Sequence, residues 1–184
     1  MRAGFALVLF ASLGLVGCAT DGTTTGGGVA AAPSPTAHAS GGPDESFRKT
    51  DFAWSTGAGK GEIEGQLAFR QGSVAYSCAD AGVLLTPETP WVRRRMQILY
   101  TSSDKATLPA AEVRARTPPE RNQDYSSFVK RAACDTAGHF DFGALPDGAW
   151  YVITVARPAA PGSGADMAIM RRVVVKGGKV KLTL

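Results

Sequence analysis

Few side chains in this 184-residue sequence have the chemistry of a catalyst or a metal ligand, and their spacing suits neither role. It contains two histidines. His38 falls in a Gly-, Thr- and Pro-rich stretch, which leaves His139 as the imidazole of any folded site. Alternation with Phe140 puts His139 on the wet side of a strand. A Ser-His-Asp site would join His139 to Asp141 or Asp135 and to a serine such as Ser126, but no G-x-S-x-G elbow presents a nucleophile. Zinc on Cys78, Cys134 and His139 would lack the C-x-x-C or H-x-x-x-H spacing of such sites. We therefore expect no catalytic residue, no metal and no cofactor, with a hydrolase built on His139 as a distant alternative.

Cys18 is different. It closes Leu15-Val16-Gly17-Cys18 after an apolar run from Phe5 to Val16, with Arg2 in front. About a dozen apolar residues is too short to span a bilayer and reads as an export signal. The motif resembles the lipobox of bacterial lipoproteins. That resemblance implies a diacylglycerol on the Cys18 thiol, cleavage after Gly17 and a further acyl chain, such as palmitate, on the new amine. Several chains anchor stably where one is marginal. By the same resemblance, Ala19 in place of Asp favours the outer membrane, facing the periplasm. The alternative is an ordinary secretory signal whose small-residue cleavage site is replaced by Gly-Cys. With Cys18 lipidated, Cys78 and Cys134 remain as an even pair in an oxidising compartment, where a disulfide is expected; two separate buried thiols are the alternative.

The elements that must position these residues lie beyond residue 17. Residues 18–46 hold Gly26-Gly27-Gly28, Thr23-Thr24-Thr25 and Pro33-Ser34-Pro35 and very little large aliphatic side chain. Such a segment buries too little apolar surface to offset its ordering entropy, so it is read as a flexible tether with a reach of about 25–30 Å. Residues 47–184 have the size of one domain. That domain carries 19 basic against 13 acidic residues. The excess favours anionic neighbours such as lipid head groups or acidic polysaccharide, and nucleic acid is not expected in this compartment.

Periodicity along the domain is mostly two. Glu62 to Phe69 reads as a half-buried strand with Ile63, Leu67 and Phe69 on one parity, and Gly65 within it marks a bulge or a close approach of another backbone. Strands are expected near Val74–Cys78 and Val83–Thr86. Thr89-Pro90 is a helix start, and Val92, Met96 and Leu99 at i, i+4 and i+7 place a helix from Pro90 to about Tyr100. Residues 102–124, with Pro109, Pro118 and Pro119, are expected to be a long excursion with little regular structure. Strands are expected again at 128–134, around Phe140 and Phe142, and at 150–157, where both parities are apolar as in a central strand. Gly177-Gly178 reads as a two-residue hairpin turn joining the last two strands. Seven or eight short strands and one helix give an all-β, antiparallel β-sandwich.

The run Cys134-Asp135-Thr136-Ala137-Gly138-His139-Phe140-Asp141-Phe142-Gly143-Ala144-Leu145-Pro146-Asp147-Gly148-Ala149-Trp150-Tyr151-Val152 resembles the signature of carboxypeptidase regulatory-like domains. Ile63-Glu64-Gly65-Gln66 and Gly82-Val83-Leu84-Leu85 resemble that family's earlier strands. The resemblance implies a transthyretin-like sandwich of about seven strands, into which residues 88–127 are inserted. The enzymes associated with it are not implied: the metallocarboxypeptidase H-x-x-E motif is absent, and the chain ends Lys181-Leu182-Thr183-Leu184 rather than in the Tyr-Arg-Gly-Ser tail of hydroxyisourate hydrolase. The leading expectation is a non-catalytic, membrane-anchored envelope lipoprotein whose sandwich binds a partner protein. A glycan- or peptidoglycan-binding module is the alternative. The expected contact surface is Trp91, Arg93, Arg94, Arg95, Tyr100 and Tyr125, since aromatic and arginine side chains dominate interfaces. Packing of Trp91 and Tyr100 onto the sandwich is the competing use of those rings.

Overall fold

A computed structural model describes residues 46–79, 81–118 and 123–184, within the unit Ser40–Leu184. The signal sequence, Cys18 and nearly all of the tether lie outside the described residues. After a 3-10 helix at Lys49–Ser55 come β1 (Gly61–Gln66), β2 (Arg70–Gln71), β3 (Val74–Ser77), β4 (Gly82–Pro87) and α1 (Pro90–Tyr100). Next are β5 (Lys105–Pro109), α2 (Ala110–Ala115), a second 3-10 helix at Gln123–Phe128, and β6 (Lys130–Ala133). The chain closes with β7 (His139–Leu145), β8 (Gly148–Pro158), β9 (Met167–Val175) and β10 (Gly178–Thr183).

The architecture is the expected all-β sandwich with a helical layer added. The smaller sheet has the order β10-β1-β7. In the larger one β8 is central, with β9 then β5 on one side and β4 then β6 on the other. β3 continues the line of β4 along the same edge of β8, pairing Tyr76 with Pro158. β8 is apolar on both faces because it serves two cores. Trp150, Val152 and Ala156 enter the core between the sheets with Ile63, Leu85, Phe140, Phe142 and Leu145. Tyr151, Ile153 and Val155 face a second core, closed by Val92, Met96, Leu99 and Tyr100 of α1, Val113 of α2, and Phe52.

α1 has the expected bounds and for the expected reason: Thr89 accepts a hydrogen bond from the Val92 N–H at 3.1 Å, and Pro90 takes the first turn. The disulfide is also present, joining Cys78 at the end of β3 to Cys134 after β6, with Cα atoms 5.6 Å apart. Gly65 meets a side chain rather than a backbone. A Cβ there would lie 1.9 Å from Cζ of the Phe140 ring, whose tip occupies the place of the missing side chain.

Three expectations are corrected. Residues 102–124 are not a structureless excursion: β5 adds an edge strand to β9, pairing Lys105 with Arg171 through Pro109 with Met167, and α2 buries Ala110 and Val113. Pro109 is tolerated because β5 is an edge strand: the next residue, Ala110, donates its N–H to the Asp166 carbonyl of the β9 side, so the N–H that proline lacks falls on the open edge. Gly177-Gly178 does not make a hairpin. β9 belongs to the larger sheet, whereas β10 crosses to the smaller one and pairs with β1 in parallel, Ile63 opposite Val180. The sandwich is therefore not wholly antiparallel. The opening strand also stops at Gln66, after which the Leu67 N–H bonds to the Gly138 carbonyl and that of Ala68 to Leu184.

Candidate functional site

The residues expected to form a contact surface divide between packing and exposure. Tyr100 is 4% exposed and belongs to the second core. Burial pushes its phenol up to about 12. Trp91 and Tyr125 are half-buried and meet edge to face with ring centres 4.9 Å apart. Phe47 touches Trp91 at 5.3 Å and Phe52 at 5.3 Å, while Phe52 stacks on Phe128 at 4.5 Å. This chain of rings seals α1 and both 3-10 helices onto the sheet. The Tyr125 hydroxyl is tied to the Thr86 hydroxyl at 2.7 Å, and burial raises its pKa. Arg95 lies over the Trp91 ring, 5.5 Å from its centre. Arg93 and Arg94 are exposed.

Of these residues, Arg93 alone lines a cleft beside the start of α1. That cleft, of about 550 Å³, opens where α1 begins, at the end of the larger sheet, and is lined by Trp54, Glu88, Thr89, Pro90, Arg93, Gly148, Ala149 and Arg172. The elements explain how it is assembled. The first 3-10 helix straddles the end of β8, sending Phe52 into the second core and Trp54 against the first. The Trp54 ring meets Trp150 edge to face with centres 5.0 Å apart and lies over Gly148. Gly148 has φ +153°, and a Cβ there would stand 2.2 Å from the Trp54 ring, so glycine is required twice over. Trp54 is half-buried, as are Trp91 and Tyr125, but it borders the open cleft.

Glu88 organises the opposite wall. It comes directly after Pro87, the last residue of β4, and its backbone N–H bonds to the Ala149 carbonyl at 2.8 Å. Its carboxylate, 14% exposed, takes Arg93 Nη1 on Oε1 at 2.7 Å and Arg172 Nε on Oε2. The hydrogen bond and charge of Glu88 raise the Arg93 pKa. Two guanidiniums on one carboxylate leave a positive charge beside a partly buried indole. This arrangement can stack a flat apolar face and hydrogen-bond the polar groups around it.

The sequence did not single out Trp54, Glu88 or Arg172. Trp54 carried a signal, being a large aromatic just before the polar, glycine-rich run Ser55-Thr56-Gly57-Ala58-Gly59. Glu88 and Arg172 are 84 positions apart, and their pairing depends on register.

The histidine occupies a second cleft, of about 480 Å³, with Glu64, Asp135, Asp141 and Cys134 on the opening between β6 and β7. His139 Nδ1 lies 3.3 Å from Asp135 Oδ2, both exposed. The Asp135 carboxylate accepts the backbone N–H of His139 first, and this holds its pKa below the usual range. No serine lines this cleft, and Cys134 is in the disulfide. Ser126 sits in the helical layer on the far face of the larger sheet, so the fold does not bring it to His139.

No family model matches the chain, and no curated protein matches it. Among solved structures, it is similar to a crystal structure of a candidate carbohydrate binding protein from Pseudomonas aeruginosa. The two are 24% identical and superpose with a TM-score of 0.54, over 77% of this chain and 99% of the other. The likeness shows a shared fold.

Proposed function

We propose that the chain is a non-catalytic binding module that takes a glycan in the Trp54 cleft, and that it is carried on a membrane, the outer membrane by the Ala19 rule, through lipid on Cys18. The observation that carries the reading is the Trp54 ring that lies over Gly148 and lines the cleft, beside the Glu88-bridged pair Arg93 and Arg172. Pyranose rings present patches of C–H on one face, which an indole covers well, and rim hydroxyls that charged groups can bond. A cleft of about 550 Å³ lies within the usual range for small-ligand sites and has room for one or two sugar units. A fold shared with a protein described as carbohydrate binding supports the same reading. It is favoured over the partner-protein role because Tyr100 is buried in the second core and Trp91 and Tyr125 close the aromatic seal over it, whereas Trp54 lines an open cleft. The resemblance to carboxypeptidase regulatory-like domains suits an accessory module of this kind.

A glycan array and then titration calorimetry test the cleft. Trp54→Ala should abolish binding and Trp91→Ala should leave it; the reverse pattern would move the site to α1. Palmitate labelling of cells tests the anchor, since the label should vanish in Cys18→Ser.

A further inference from the structure

Resting on the glycan reading, we infer that the sugar held by the cleft is a carboxylated one, a uronic acid or its like, with the carboxylate on the outer edges of Arg93 and Arg172. Several observations converge on this, beginning with which polar groups are already engaged. Sugar hydroxyls donate as well as accept, so a site for a neutral sugar needs acceptors. Here each Glu88 oxygen already holds a guanidinium, the Thr89 hydroxyl oxygen takes the Val92 N–H, and the Ala149 carbonyl takes the Glu88 N–H, so each acceptor keeps only part of its capacity. Donors remain in excess. Each guanidinium carries five N–H groups; the bonds to Glu88 use Nη1 of Arg93 and Nε of Arg172, and Arg172 also bonds the Tyr151 hydroxyl, which still leaves N–H groups on both. A carboxylate is an acceptor without donors and matches a guanidinium edge in shape.

Charge points the same way. Two arginines and one glutamate line the cleft, with the Asp104 charge also felt at Arg93, and the amino end of α1, where the helix dipole is positive, opens into it. Glu88 also fixes the two forks in place, so little side-chain freedom is lost when a ligand arrives. With a sugar ring on Trp54, its carboxylate has the guanidiniums of the same cleft within reach.

The test uses the domain with an array on which oligosaccharides of polygalacturonate, polymannuronate and hyaluronan are each printed beside the carboxyl-reduced form of the same chain. The acid form should bind at least about ten-fold more tightly, the size of one charge-assisted hydrogen bond. Salt should narrow the gap. Arg172→Gln should bring the ratio of acid to reduced affinities close to one. Arg93→Gln, at an exposed position, should do the same if the first variant does not fold. A wild-type ratio near one, with Trp54→Ala still removing both forms, would overturn the carboxylate assignment and leave the glycan reading standing. Failure of both forms to bind would overturn the two together.

Discussion

Replacing Gly148 with alanine probes the construction of the cleft from beneath. The new Cβ would lie 2.2, 2.6 and 2.9 Å from Cζ3, Cη2 and Cε3 of Trp54, where carbon atoms rest about 3.5–4.0 Å apart. The ring must recede by more than one ångström, and Trp150 stands behind it with centres 5.0 Å away. Two costs result. Holding alanine at φ +153° costs about 1–3 kcal/mol. Losing the edge-to-face contact with Trp150 costs about 0.5–1.5 kcal/mol more. Gly148→Ala should therefore destabilise by about 2–4 kcal/mol and also weaken glycan binding, although glycine offers no side chain to a ligand. In a Trp54→Ala background only the backbone cost remains, so the two substitutions should couple by about 1 kcal/mol in a double-mutant cycle read by urea unfolding. Costs that add to within a few tenths of a kcal/mol would refute the close approach on which the site depends.

Reducing the Cys78–Cys134 disulfide, which spans 56 positions, should cost about 4 kcal/mol in the chain-entropy account; equal urea midpoints with and without reductant would contradict it. Tyr100 sets an alkaline limit. Its phenol is raised to about 12 in the fold against about 10 unfolded, so its contribution is complete below pH about 10 and lost as pH rises toward 12. Tyr100→Phe should remove about 2 kcal/mol of that alkaline loss, seen as a shallower fall of unfolding free energy between pH 9 and about 12; an unchanged slope would count against the burial.

What could be seen in the sequence was local. Val92, Met96 and Leu99 with Thr89-Pro90 located α1, and Tyr151, Ile153 and Val155 against Trp150 and Val152 identified a strand buried on both sides. Pairing was harder, because parity says which face a side chain takes and not which strand lies beside it. Val180 and Leu182 alternate equally well in a hairpin with β9 or in a parallel pair with β1, and only the second covers Ile63. β5 escaped notice because a five-residue edge strand containing Lys105, Thr107 and Pro109 shows no stripe of its own. The cleft was hidden for the same reason: β4, β8, β9 and the first 3-10 helix each supply part of it, and their ends meet only once the registers are set.

The parallel pair also governs when the domain can assemble. β1 emerges near the start of the domain, yet Gly61 must wait for Gly178 and Gln66 for Thr183. Contacts so distant in sequence are slow to close. Until they do, β1 stays unpaired on that edge. The smaller sheet is completed only once β10, the last strand of the described residues, has reached β1.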